Sequence, residues 1–284
     1  MSNSVNYLRA NKMPHIWCPG CGNGIVMSNI IRAIDDSGID RNKTVIVSGI
    51  GCSSRAPGYM DFDTLHTAHG RAIPFATGIK MANPELNVIV ITGDGDSSAI
   101  GGNHLIHGCR RNIDLTVVIV NNNIYGMTSG QYSPLTPTGA WATTAQYGNI
   151  DRPFDIPRVT AACGATYVAR ASVFHVPQLK NYIQAGLKNK GFSVIEAISI
   201  CPTYFGRKNG MGDAPEMMKW LKDNCKMLKP GDAGNYLAGT AEYDTAYVLG
   251  EFVKITAPEY AESYMKRLKI LYKYILMLSG KNEK

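Results

Sequence analysis

Two cysteines, Cys18 and Cys21, lie in the glycine-rich stretch WCPGCGNG. A pair at that spacing can be a zinc clip, a redox dithiol or half of an iron–sulfur site. Farther on, GDGD (93–96) and NNNIYGM (121–127) set carboxylate and amide oxygens among glycines. Asp94 offers a hard carboxylate oxygen and Asn122 a neutral amide oxygen, while Gly93 and Gly95 let a ligand approach the backbone. Oxygen donors of this kind suit Mg2+, which takes few protein ligands and completes its shell with water and substrate phosphates. A diphosphate cofactor is the natural complement. The dinucleotide fingerprint fails, since GDGDSS has Ser98 and GIGCSS has Ser54 where glycine is required, and there is no GxxxxGK[ST] loop.

These residues need strands to carry them. Short β-branched runs recur at TVIVSG (44–49), NVIVIT (87–92), LTVVIV (115–120), ATYVA (165–169) and FSVIEAISI (192–200), separated by helix-like segments. Continuous apolar strands alternating with helices predict an α/β fold with a doubly wound, mainly parallel sheet covered on both faces. A helix is expected from about Gly24 to Asp36, directly after the cysteine turn. Asp94 then follows one strand and Asn122 the next, so both fall at the strand-end edge where open α/β sheets bind ligands. Cys52 follows TVIVSGIG and Cys201 follows FSVIEAISI, which brings them to the same edge. Cys18, Cys21, Cys52 and Cys201 can therefore converge, and four thiolates make a [4Fe-4S] site. His104 and His107 are the only candidate second pair for zinc, at a spacing that also suits ordinary helix packing. Cys109, Cys163 and Cys225 read as small buried hydrophobes.

At 284 residues with 45% hydrophobic side chains the chain can bury a sizeable core. The division expected is an α/β domain over 1–202 and a C-terminal extension of helix and loop over 203–284, covering the active site or contacting a partner. Asp213 and Glu216 form a capping signature for a helix through about Leu228, and the last segment reads as a basic amphipathic helix. No apolar run approaches the ~18 residues of a membrane span, and no apolar stretch follows Arg9 and Lys12 as a secretory signal requires. A cytoplasmic location is expected, where seven cysteines do not form structural disulfides. The net charge of +7 is dispersed and lacks a nucleic-acid motif, so no nucleic-acid partner is expected.

GDG followed by NN at this distance resembles the thiamine diphosphate signature. Residues 93–137 as a whole resemble the β subunit of 2-oxoacid:ferredoxin oxidoreductases, with CPTYFGRKNGMGDAPEMMKWL (201–221) most like the 2-oxoglutarate enzymes. The resemblance covers residues 13–228, and the stretch after about 231 departs from it. It implies that Asp94, Asn122 and the carbonyl of Ile124 hold Mg2+. It also implies that Ile50, Gly51, Cys52, Ser53, His69, Gly95, Asp96, Gly126 and Met127 line the cofactor, and that the four cysteines carry a [4Fe-4S] cluster. His69 is a candidate catalytic residue. Arg55, three residues beyond Cys52, can make a charge-assisted bond to a second substrate carboxylate, and in the family a basic residue here goes with 2-oxoglutarate.

The reaction so implied is oxidative decarboxylation of a 2-oxoacid with coenzyme A, electrons passing singly to ferredoxin, in either direction. The same chemistry on pyruvate or a branched 2-oxoacid is the nearest alternative, and a zinc-stabilised subunit without redox chemistry is a remoter one. The glutamate that activates thiamine is placed by the resemblance on a partner α subunit, so the isolated chain is expected to be inactive. The number of partner subunits, including any small ferredoxin-like one, stays open.

Overall fold

The computed structural model describes residues 4–278. Eight strands form one sheet: β1 (Thr44–Ser48), β2 (Asp63–His66), β3 (Asn87–Gly93), β4 (Leu115–Asn121), β5 (Tyr167–Ser172), β6 (Phe192–Ile198), β7 (Cys225–Met227) and β8 (Tyr247–Lys254). Their spatial order is β2-β1-β3-β4-β6-β5-β8-β7. All pairings are parallel except β5 with β8. The helices are α1 (Asn23–Ser37), α2 (Ala56–Tyr59), α3 (Ala72–Ala82), α4 (Asp94–Ser98), α5 (Gly102–Arg111), α6 (Ile156–Ala162), α7 (Val176–Lys188), α8 (Ala214–Asn224), α9 (Ala233–Ala238) and α10 (Tyr260–Leu278).

Alternation along each central strand feeds two cores. Ile89 and Ile91 of β3 and Val118 and Val120 of β4 face one side, with Ile30, Ile31 and Ile34 of α1 and Leu179 and Ile183 of α7. Val88 and Val90, with Val117 and Ile119, face the other side, with Ile73 of α3, Leu105 of α5 and Ile156 of α6. All seven residues of β4 are buried. A strand covered on both faces must be apolar throughout, which is why LTVVIV shows no polar alternation. The doubly wound parallel sheet expected from the sequence is therefore present.

The C-terminal part departs from expectation. Instead of helix and loop alone it adds β7 and β8 to the sheet, and α8 stops at Asn224 rather than Leu228. Its start follows the sequence, for Asp213 and Glu216 form a reciprocal capping box. β8 escapes pattern reading because Gly250 and Glu251 interrupt its apolar run, and the register shifts opposite Val168/Ala169. β2 escapes because DTLH is a short edge strand with both ends exposed. In α10, Ala261 is buried while Tyr264, Leu268 and Leu271 are exposed. Among the described residues no helix is long and apolar enough to cross a membrane.

Candidate functional site

The chain goes one way from β1 to β2 and then crosses back over β1 to β3, so the strand order reverses beside β1. The loops after β1, β3 and β4 meet there, as open α/β sheets require of a ligand crevice. They enclose a cavity of about 500 Å3. Ile50, Gly51, Cys52 and Ser53 line it from the β1 loop, Gly95 and Asp96 from the β3 loop, Gly126 and Met127 from the β4 loop, and His69 from the turn before α3. Every residue assigned by resemblance to the cofactor thus reaches one cavity, with Asp94, Asn122 and Ile124 beside them.

Register explains how the oxygen donors meet. Gly93 pairs with Val120, so Asp94 and Asn122 both leave the sheet just past the same pair of partners. Asn122 Oδ1 accepts from the Ile124 amide at 3.3 Å, and the same amide donates to Asp94. Ser133 Oγ donates to Asp94 Oδ2 at 2.6 Å. Burial pushes the Asp94 carboxyl up to about 7, although Ser133 and the amides of Gly95 and Ile124 favour its charged form. No basic side chain stands against it among the described residues. A buried carboxylate without a counter-charge fits a cation.

Asp96, two residues on, has the opposite surroundings. It accepts from the Gly70 amide at 2.6 Å, Thr92 Oγ1 at 2.7 Å and the Ile50 amide at 3.3 Å. It also contacts His69 Nδ1 at 2.7 Å, although no hydrogen bond forms there. Three segments are fastened by this one carboxylate, which makes Asp96 a brace, whereas Asp94 lines the cavity with no cation against it among the described residues. Tyr125 was not anticipated. Its hydroxyl donates to the Gly95 carbonyl at 3.1 Å, and its ring fills the space above Gly95, where a Cβ would fall 2.0 Å from Cζ. Ser133 was also missed; it lies 39 residues from Asp94, within the resembling stretch but at a position given no role.

Three segments bring the four cysteines within electrostatic range of one another, short of a grouping that could itself hold a metal ion. Trp17 Nε1 donates to the Cys52 carbonyl at 2.7 Å, tying the cysteine turn to the β1 loop. The Gly22 amide donates to the Ile200 carbonyl at 3.2 Å, tying the same turn to the loop after β6. A methyl group built on Gly126 would lie 3.4 Å from Cys52 Sγ and 3.6 Å from Cys201 Sγ, so both sulfurs face one point on the cavity wall. Burial pushes the Cys21 thiol up to about 11 and the Cys52 thiol up to about 12, and the neighbouring sulfurs push in the same direction. Burial raises Cys201 as well, against the amides of Tyr204 and Phe205. None of the four is disulfide-bonded. Such a group can ionise only against strong positive charge, which a metal cluster provides. Among the described residues no three His, Cys, Asp or Glu side chains are grouped to hold a metal ion. His104 and His107 sit on α5, across the sheet from α1.

Arg55 is not brought to the cavity. Ser53–Arg55 is a single 3-10 turn in which Ser53 and Ser54 are buried and Arg55 points out. It lines a separate depression with Arg9, Lys12 and Tyr59. Asp61, nearby in the chain, pairs with Arg9 and Arg41.

Residues 49–197 match the model of the thiamine pyrophosphate enzyme C-terminal TPP binding domain. The 2-oxoglutarate synthase subunit KorB of Methanothermobacter marburgensis is 54% identical over 259 residues, spanning 90% of this chain and 88% of that protein. The chain belongs to the KorB family of 2-oxoglutarate synthase subunits. The KorB subunit of Methanocaldococcus jannaschii is 51% identical over 95% of this chain and 99% of its own length. The family likeness thus runs on past residue 231, where the sequence reading had ended it. A solved 2-oxoglutarate:ferredoxin oxidoreductase from Magnetococcus marinus superposes with a TM-score of 0.84 at 32% identity, covering 99% of this chain and 93% of that one. That structure holds 2-oxoglutarate, coenzyme A and succinyl-CoA. A KorB chain is an oxidoreductase subunit with a thiamine diphosphate-binding domain, and it works with a partner α subunit.

Proposed function

We propose that this chain carries thiamine diphosphate, Mg2+ and a [4Fe-4S] cluster. With its α subunit it catalyses coenzyme A-dependent conversion of 2-oxoglutarate to succinyl-CoA and CO2, reversibly, in the cytoplasm, exchanging single electrons with ferredoxin. The observation that carries this reading is the shared wall. Gly126, which lines the cavity beside Asp94 and Asn122, also touches the space between Cys52 and Cys201. The choice of 2-oxoglutarate is supported by what the relatives are named for.

When bound, thiamine diphosphate supplies the carbon nucleophile and electron sink for decarboxylation, and a cluster supplies a one-electron outlet. The chain's own residues have separable tasks. Asp94, the Asn122 amide oxygen and the Ile124 carbonyl hold Mg2+ on the diphosphate. Asp96 keeps the β1 and β3 loops in place around it, with His69 at the wall. Cys18, Cys21, Cys52 and Cys201 hold the cluster, with Cys201 buried, Cys21 and Cys52 half-buried and Cys18 exposed. Arg55, which lines a separate depression, is given no part in substrate choice. Arg55→Ala is expected to change 2-oxoglutarate and pyruvate turnover alike, and a selective loss on 2-oxoglutarate would restore it to that role.

Anaerobic co-purification with the α subunit tests the reading. A brown complex with about four irons per chain, bound thiamine diphosphate and activity on 2-oxoglutarate above pyruvate or branched 2-oxoacids is the expected result. A colourless complex with stoichiometric zinc overturns it.

A further inference from the structure

The C-terminal strand β8, with β7 parallel beside it, runs against the other six strands. Its first residue, Tyr247, therefore starts at the edge where the parallel strands end, which is the edge of the cavity. From there the Tyr247 hydroxyl donates to Asn123 Oδ1 at 2.9 Å, across 124 residues of sequence. Asn123 stands between Asn122 and Ile124 and adopts a left-handed conformation, φ 64°. That conformation is unfavourable for most side chains, and asparagine tolerates it best after glycine.

The remaining bonds of Asn123 are all to residues near the cavity. Its amide donates to Asn121 Oδ1 at 3.1 Å, and its carbonyl accepts from Thr136 Oγ1 at 2.6 Å. Asn121 Nδ2 is in turn bound to Glu196 Oε1 at 2.8 Å. Tyr247 itself is held by packing. Trp220 of α8 meets its ring edge-on at 6.5 Å between centroids, and the Arg170 guanidinium lies 5.9 Å from its ring centroid. Arg170 is fixed by Glu196 at 2.6 Å, by Asp155 at 3.1 Å and by the Val248 carbonyl at 3.3 Å. The C-terminal segment thus presents a hydroxyl from a rigid mount to the middle residue of the loop that bears two of the three metal donors.

We propose that Tyr247 is a positioning residue for the Mg2+–diphosphate site, setting Mg2+ affinity by holding Asn123 in the turn that aims the Asn122 amide oxygen and the Ile124 carbonyl. This rests on the assignment of Asp94, Asn122 and Ile124 as the metal donors. Hydrogen-bond partners that orient metal ligands commonly change metal affinity by about 10- to 100-fold when removed. Tyr247 lies outside the loop and makes one bond to it, so the lower end of that range is expected.

The test uses the complex with the α subunit, stripped of metal and titrated with Mg2+ at saturating thiamine diphosphate by calorimetry. Tyr247→Phe keeps the ring and is expected to weaken Mg2+ binding about tenfold, with turnover recovering as Mg2+ is raised. Asn123→Gly accepts the positive φ but offers no acceptor. It is expected to weaken binding by itself, and Tyr247→Phe added to it is expected to do no further harm. Asp94→Ala serves as the reference. Loss of Mg2+ binding in Asp94→Ala with wild-type affinity in Tyr247→Phe, whether or not thermal stability falls, overturns the positioning role alone. Unchanged Mg2+ affinity in Asp94→Ala overturns the metal assignment and the positioning role with it.

Discussion

The two edges of the sheet handle buried charge in opposite ways. At the edge away from the cavity, Lys80 is only 4% exposed, yet it meets Asp114 at 2.6 Å and donates to the Leu86 carbonyl at 2.7 Å. Lys190 reaches both Asp114 and Glu262, and buried Glu259 takes the amides of Asp114 and Glu262. Lys80, Lys190 and Asp114 are answered by opposite charge and Glu259 by two amides, and the cluster fastens the start of α10 to the sheet. At the cavity edge Asp94 meets no cation among the described residues, and burial pushes the Cys21, Cys52 and Cys201 thiols up. Packing alone would have selected apolar residues there. Charge that the chain leaves unanswered marks where something from outside completes the fold.

Substitutions can break that contrast, beginning with the largest effect. Cys201→Ser removes one of two sulfurs facing the same point and is expected to cost the complex most of its iron and its colour, read by iron and sulfide analysis. Full iron retention would show that the thiols do not form the cluster site. Asp94→Ala is expected to weaken Mg2+-dependent thiamine diphosphate binding by more than about 100-fold, equivalent to about 2.7 kcal/mol, measured by calorimetry. Lys80→Ala acts on the other edge. Leaving Asp114 with only the half-exposed Lys190 is expected to destabilise the chain by about 2–3 kcal/mol in urea unfolding, with Mg2+ affinity unchanged. A change of affinity without a change of stability would reverse the roles of the two edges. Ser133→Ala withdraws a donor from Asp94 and is expected to lower Mg2+ affinity by about tenfold, with little change in unfolding midpoint.

Much of the cavity edge was legible because parallel sheets place consecutive strand ends side by side. Knowing that GDGD follows one strand and NNN the next was enough to bring Asp94 to Asn122, and the register bears this out. Cys52 and Cys201 were brought to the same edge by the same rule, each following a strand, whereas the cysteine turn follows none. The fastening of that turn was not legible, since Trp17 to Cys52 and Gly22 to Ile200 are bonds between loops that no periodicity announces. The two aspartates of GDGD look equivalent in sequence, and only their partners, drawn from Gly70, Thr92 and Ser133, separate brace from ligand. Arg55 shows the converse limit. Proximity to Cys52 in the chain suggested a shared cavity, and a single turn of 3-10 helix sent the guanidinium elsewhere. The C-terminal strands were illegible because β7 has three residues and β8 is broken by Gly250.

Because the Tyr125 ring already occupies the room above Gly95, the two halves of the motif behave as an interlocked pair although 30 residues separate them. Neither can drift by itself. An alanine at 95 is admissible only in a lineage that has already trimmed position 125, so these two columns are expected to change together or stay fixed, for a reason of space that no cofactor imposes.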